Sequence, residues 1–386
     1  MSEEIQQEKL TFKQKTVNYL KALPKRYFIT AFSGMAQGLF VTLIAGTILA
    51  QIAGWIGDNY IGNTLLFIAN IAKILMGAGI GVGIAHALGK NKLLIFTAAV
   101  AGMVGAWADQ LIVGGGGYVA ITAKLGLGLP GNPIGAYVVS MLIVELVELY
   151  AGKTKLDIIL IPLGGLLISF AGVFIAWPFI KLIDLFAKLL VITINAGSAV
   201  KIIIGILIAV VMGILLTMPT SSAAIWVAIA TSNTAVSNPE VFAIAGGAAV
   251  AGCAAHMVGF AVTSYRENKV GGLISQGVGT SMLQIPNIMK KPIIMLPEII
   301  SSAIAGLVAV LLDVRCTAAG GGMGTSGLVG LFGVIDSCML YGVPVINCVL
   351  GIVLCLFVIP TVVSLAVSEF MRKKGYINFG DMKLPE

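Results

Sequence analysis

The chain contains two histidines, and both stand in the same local setting. His86 lies in GIAHALG at 83–89 and His256 in GCAAHMVG at 252–259, each an Ala-His pair with a glycine three residues on. An imidazole can hydrogen-bond a polar solute or handle a proton. It can equally sit neutral against a backbone carbonyl. His256 is mid-way along an apolar run with no charged residue within nine positions, so either role would be played away from water. His86 lies one turn from Lys90, which favours the plainer role.

The other ionisable groups within apolar sequence are Lys73, Asp109, Glu145, Glu148, Glu298 and Asp336. Placing such a group in hydrocarbon costs about 2.5–3.5 kcal/mol, so each is expected to face a partner or a cavity. Glu145 and Glu148 share a helix face beside Lys153 and Lys155, and pairing is a sufficient account of them. Glu298 follows Pro297 at the opening of a helix, where the dipole favours a carboxylate.

Hydroxyls and amides cluster in two places. One is GVGTSMLQIPNIMKKP at 277–292 and the other is 217–233, where Pro219 would break a helix. Groups of this kind suit a neutral polyol or sugar better than an ion. The expected solute-binding set is therefore His256, Asn233, Thr280, Ser281, Gln284, Asn287, Glu298 and His86. There is no Walker A sequence, no Ser/His/Asp pattern and no metal-ligand spacing, so neither a catalytic residue nor a metal or cofactor is assigned. The five cysteines lack CxxC spacing and sit in apolar or Gly-rich sequence, as small buried hydrophobes do.

Composition says what must hold these groups. Hydrophobic residues are 58% and charged residues 11% of the 386, with a mean hydropathy of +1.01. A water-soluble domain carries about 25% charged residues, so this chain cannot cover its surface in water. Runs at 156–180, 202–217 and 344–367 approach the roughly 20 apolar residues that span a bilayer. They are continuous rather than alternating, which argues against an outer-membrane barrel. The net charge of +7 comes from short loops between these runs, as the positive-inside bias requires, and does not indicate nucleic acid.

The fold class read from this is an all-α polytopic membrane protein of about ten transmembrane helices. The basic loops place both termini on the cytoplasmic side. No cleavable signal peptide opens the chain, and 1–26 reads as a cytoplasmic amphipathic segment with Phe12, Val17, Leu20 and Leu23 on one face. Residues 27–371 form the membrane domain and 372–386 a cytoplasmic tail. Parity between 181 and 265 needs three crossings. Two are 202–229 and 241–263; the third is 182–200, whose Asp184 and Lys188 equally suit an amphipathic surface helix. Two segments are too Gly-rich for straight helices: 114–133, with GGGG and LPGNP, and 315–336, with AAGGGMGTSGLVGLFG. They read as re-entrant hairpins, with Gly115 and Asn132 in the first and Gly322, Thr325 and Ser326 in the second as gate residues. Each follows one of the histidine motifs, which suggests an internal two-fold repeat around a midplane site.

The stretch QGVGTSMLQIPNIMKKPIIMLPEIISSAIAG (276–306), TKLDIILIPLGG (154–165) and GGGMGTSGLVGLFG (320–333) resemble the membrane subunits, EIIC, of bacterial sugar phosphotransferase systems (PTS). The similarity covers about residues 25–370 and is closest to the EIIC-like subgroup that includes the regulator of perfringolysin production. The resemblance implies about ten spanning helices, two re-entrant hairpins, a homodimer in the bacterial plasma membrane among its lipids, and a midplane sugar site. It also implies delivery of the sugar to separate phosphocarrier proteins, EIIB and EIIA. Glucose-type members carry a GITEP-like loop whose glutamate helps hold the sugar. Here GMGTSG at 322–327 stands in the comparable place without an acid. The functional expectation is an EIIC-type sugar permease subunit. The alternatives are an EIIC-like sensor or regulator without phosphotransfer, and a non-PTS carrier of a small polar solute.

Overall fold

A computed structural model describes residues 23–113, 117–126, 130–195, 197–218 and 222–384. Most of the expected amphipathic N-terminal segment, and Gly115, Pro219 and the last two residues, lie outside them. The regular structure among the described residues is all helix, with no strand. The helices are α1 (Leu23–Ile56), α2 (Tyr60–Ile74), α3 (Met76–Ala87), α4 (Lys92–Ala106), α5 (Ala108–Val113), α6 (Gly117–Gly126), α7 (Pro133–Glu148), α8 (Asp157–Asn195) and α9 (Ser198–Thr217). After them come α10 (Ser222–Ala230), α11 (Asn233–Ser237), α12 (Pro239–Thr263), α13 (Tyr265–Ile274), α14 (Ile285–Lys290), α15 (Pro292–Leu311), α16 (Ala318–Gly321), α17 (Ser326–Leu340) and α18 (Val345–Lys373). Among the described residues, six of these are long and apolar enough to cross a membrane, or seven if α2 and α3, bent by 52°, count as one broken span. The chain is a multi-pass membrane protein.

Local sequence explains where the helices begin. Asn59 accepts from Gly62 N at 2.9 Å, Asn91 from Leu94 N at 2.8 Å, and Asn132 from Ile134 N and Gly135 N at 2.9 and 3.1 Å. Each side chain thereby satisfies amides that have no partner within the helix. Pro133 and Pro239 open α7 and α12, at a position where a missing N–H costs nothing.

The helices form two bundles. In the first, α3 packs against α1, α4 and α7; in the second, α12 packs against α9, α15 and α18. Small residues permit both, since without a hydrophobic drive between helices in lipid, backbones must approach closely. A Cβ added at Gly81 would stand 1.9 Å from the Ala98 carbonyl oxygen, and one at Gly252 would stand 1.9 Å from that of Ala209. Contact registers give the directions. Gly34 meets Gly83 while Gly38 meets Gly79, so α1 and α3 are antiparallel. Ala209 meets Gly252 while Gly213 meets His256, so α9 and α12 are parallel. The centre of the second bundle is α12, with 94% of its apolar window buried against 28–50% for the other candidate spans.

The bundles are joined by α8, which touches α4 and α7 in one and α9 in the other. At 39 residues it is about 58 Å long, roughly twice the hydrocarbon thickness. The segment 182–200, read from sequence as a separate crossing, is for the most part the second half of this one helix. The return path between α9 and α12 is instead made by α10 and α11.

The segment after α15 is a hairpin that leaves and rejoins one end of the bundle. Cys316 N donates to Ala243 O at 2.9 Å near the start of α12. Gly330 then packs on Val250, Gly324 on Cys253, and Thr325 Oγ1 reaches Met257 Sδ at 3.6 Å. From Ala243 to Met257 is about 21 Å of helix, so the tip reaches deep along α12. The returning limb ends beside the start, where Cys338 Sγ faces Arg315 O at 3.8 Å.

Candidate functional site

The hairpin tip is held by sequence-specific means. Gly324 and Gly327 have φ of +57° and +53°, and Leu328 has +61°, a conformation that costs an L-residue with a side chain roughly 1–2 kcal/mol. Hydrogen bonds compensate. Thr325 Oγ1 donates to Gly277 O at 2.6 Å, Ser326 Oγ donates to Gly279 O at 3.0 Å, and Ser222 Oγ at the start of α10 donates to Gly322 O at 2.7 Å. The partner segment is itself broken. Residues Ser275–Gly279 form a wide π turn, Thr280 is extended (φ −160°), and its hydroxyl accepts from Met282 N at 3.2 Å to start a 3₁₀ turn. Irregular backbone of this kind is tolerated at membrane depth only where protein buries it or a cavity receives it.

A cavity of about 240 Å³ lies where these breaks meet. Its polar walls are Ser33 of α1, Ser222, Thr280, Ser326 and the backbone of Gly279 and Gly322; its apolar walls include Phe40, Leu216, Met257, Met282 and Met323. The first bundle contributes one side through α1 and the second bundle the rest. That volume corresponds to about eight waters, and no charged side chain is among the lining residues. The arrangement offers hydroxyl and amide-type hydrogen bonding plus soft apolar contact, which is recognition chemistry for a neutral polar solute.

Of the expected solute-binding side chains, Thr280 lines this cavity. Ser281 and His256 stand directly behind it. Thr217 Oγ1 is 2.9 Å from His256 Nδ1 and 2.9 Å from Ser281 Oγ, and all three residues are fully buried. His256 Nε2 has no hydrogen-bond partner among the described residues and faces Gly213 of α9. Gln284 and Asn287 point the other way. Gln284 Nε2 donates to Gln276 Oε1 at 2.8 Å and to Met382 O at 3.0 Å; Asn287 Nδ2 donates to Gln284 Oε1 at 2.7 Å and to Lys383 O at 2.9 Å.

The remaining candidates lie elsewhere. Glu298 is fully buried between α12, α15 and α18, with Oε1 accepting from Thr263 Oγ1 at 3.0 Å and Oε2 unpartnered among the described residues. Asn233 donates to Asp109 Oδ2 at 2.6 Å, and Lys181 pairs with the same carboxylate at 2.8 Å. His86 is exposed at the end of α3. Among the gate residues, Gly322 and Ser326 line the cavity, Thr325 ties the tip behind it, and Asn132 caps α7. Glu145 and Glu148 pair with Arg26, and Glu148 also with Lys90, rather than with Lys153 and Lys155. Ser33 was not singled out from the sequence. Its signal, a lone hydroxyl in the Gly-rich SGMAQG of α1, is too common among spanning helices to stand out.

Neither a curated protein nor a solved structure matches this chain. A family model described as the phosphotransferase system EIIC matches residues 29–384, from the start of α1 to beyond α18. With two bundles, a deep hairpin and an uncharged cavity between them inside that span, the chain belongs to the EIIC family of phosphotransferase-system membrane subunits.

Proposed function

We propose that this PTS sugar-transport subunit binds its sugar in the cavity between α1, the α10 start, the 275–284 break and the hairpin tip. The observation that carries the reading is the convergence of two irregular backbone segments, the start of α10 and four hydroxyl side chains on one uncharged space between two bundles. Hydroxyls and carbonyls satisfy sugar hydroxyls without the desolvation cost of a charge, and methionines adapt to the apolar face of a ring. Solute passage would follow from movement of one bundle against the other around this point, with Gly322, Thr325 and Ser326 shifting as a gate.

The ends carrying Arg26 and Lys90 on one bundle, and Arg266, Lys291 and Arg372 on the other, are taken as cytoplasmic from the positive-inside bias. Both termini then lie inside the bacterial membrane. A separate EIIB protein would supply the phosphoryl group, because four cysteines here are buried and Cys348 is half-buried in apolar sequence. Assembly as a homodimer among membrane lipids is part of the same proposal.

A thermal-shift screen of detergent-purified protein against sugars, polyols and organic acids tests it, since a ligand of the folded state raises the melting temperature by mass action. A shift with one sugar family, lost in a Thr280→Val, Ser326→Ala double variant that still folds, is expected. Shifts unchanged in that variant would move the site elsewhere. The absence of an acid among the lining residues favours a second reading, a sugar sensor of the perfringolysin-regulator type. It predicts binding without formation of sugar phosphate in vesicles supplied with phosphorylated EIIB.

A further inference from the structure

Beyond α18 the chain turns back at Gly375 (φ +77°) and runs across the end of the second bundle as a strap, 376–384. Its contacts are those of a core element. Ile377 and Met382 are buried against Phe260, Ile288, Ile294 and Met371. The Met382 carbonyl accepts from Asn268 Nδ2 at 2.8 Å and Gln284 Nε2 at 3.0 Å, the Lys383 carbonyl accepts from Asn287, and Leu384 N donates to Asn268 Oδ1 at 2.8 Å. Lys291 and Asp381 pair at 2.7 Å.

The amides that hold the strap also hold the cavity wall. Gln276 Nε2 donates to Ser264 Oγ at 2.9 Å and to Gly272 O at 3.0 Å, while its Oε1 accepts from Gln284. Gln276 and Gln284, both fully buried, bracket Gly277, Gly279, Thr280 and Met282. Of these, Gly279, Thr280 and Met282 line the cavity, and Gly277 and Gly279 receive the hairpin's hydrogen bonds. Between the two glutamines the backbone has neither a continuous helical ladder nor a long apolar face. Its path is set by side-chain bonds, and the strap supplies the acceptors that complete them. Removing those acceptors would leave buried amide donors unpaired, which costs more than the bonds themselves contribute.

We infer that the strap is a positioning element for the solute cavity, fixing the 275–284 wall and the hairpin tip through the Gln276–Gln284–Asn287 amide ladder. The inference rests on reading that cavity as the solute site, and its test is chosen to separate the two. The probe is Thr280→Cys in a Cys348→Ala background, labelled with a membrane-permeant maleimide in vesicles, in the full chain and in a chain ending at Gly375. Labelling needs no solute, so it reports the wall even if no sugar binds there. The shortened chain is expected to label about tenfold faster and to bind sugar more weakly. Equal labelling rates in two folded proteins would overturn the inference.

If the shortened chain does not fold, charge variants make the same test. Lys291→Asp and Asp381→Lys should each speed labelling about two- to fivefold, the range a partly exposed ion pair spans, and the double swap should restore the original rate. Failure of the swap to restore it would overturn the inference. Faster labelling together with unchanged sugar affinity would leave the strap's role standing and move the sugar site away from this wall.

Discussion

The helices α3 and α12 occupy corresponding places in their bundles, yet they differ in what they carry. Each is the Gly- and Ala-rich element against which three other spans pack, and each bears an Ala-His pair near its basic end. In α3 the histidine is exposed; in α12 it is sealed behind Thr217 and Ser281. The two helices thus share a glycine-rich composition, but not a packing register, since α1 runs antiparallel to α3 and α9 parallel to α12, and not a chemistry. Glycine recurs because a neighbouring backbone must come within contact distance, a demand identical in both halves. Among the described residues, the broken backbone and the deep hairpin at the junction come from the second bundle.

The largest expected effects test the shared part of that comparison. Gly81→Val and Gly252→Val each force a side chain where a Cβ alone would stand 1.9 Å from a carbonyl oxygen. Both should cost about 3 kcal/mol or more and appear as loss of monodisperse protein on gel filtration. If one were tolerated, the two helices would not be equivalent centres.

His256→Ala against His86→Ala sharpens the chemical difference. Removing the buried ring opens a void and takes a partner from Thr217, for an expected loss of about 2–4 kcal/mol. His86→Ala should stay within about 0.5 kcal/mol. Melting temperatures of the two variants decide it, and equal shifts would return the histidines to a common role.

A smaller effect is expected from Thr325→Val, which removes the hydroxyl bonded to Gly277 O while keeping shape. A loss of about 0.6–1.5 kcal/mol in sugar binding, read by titration, would show that the second bundle's hairpin supports the cavity. No change would detach it from the site.

The smallest concerns acid. Burial pulls the Asp381 carboxyl upward, but the Lys291 ammonium and the Asn378 amide more than offset this and hold it below the usual carboxylate range. A group depressed in the folded state stabilises above its unfolded value, and that contribution is lost as pH falls through the folded value. The melting temperature should therefore fall on acidification below the ordinary Asp range, and that fall should shrink in Asp381→Asn.

Much of this architecture is legible in residue order. The hairpin at 315–336 announces itself because a glycine-rich apolar stretch between two spanning runs has no stable place in lipid except against protein. The likeness of the two histidine motifs does not carry through to packing: Gly89 follows the end of α3 in open space at φ +67°, whereas Gly259 is pressed against Ser364 and Glu298. The segment 182–200 misleads because Asp184 and Lys188 look like the polar edge of a surface helix. In the structure Asp184 accepts from Thr234 N and Oγ1 at 2.8 and 2.7 Å, which lets α8 run on without a break. Gln284 and Asn287 mislead in the opposite sense. Their amides suit a solute, but the strap's carbonyls reach them first, from about 98 and 96 positions away.

Composition and the order of apolar runs alone determine that this chain lives in a membrane and which segments cannot be straight. Those properties follow from hydrocarbon's intolerance of unpaired backbone, which acts locally. Only the tertiary structure decides which hydroxyls share a cavity, which amides are already taken, and which histidine is shut away. A hydrogen bond's partner is set by distance in space, and here the decisive partners lie tens to more than a hundred residues apart in the chain.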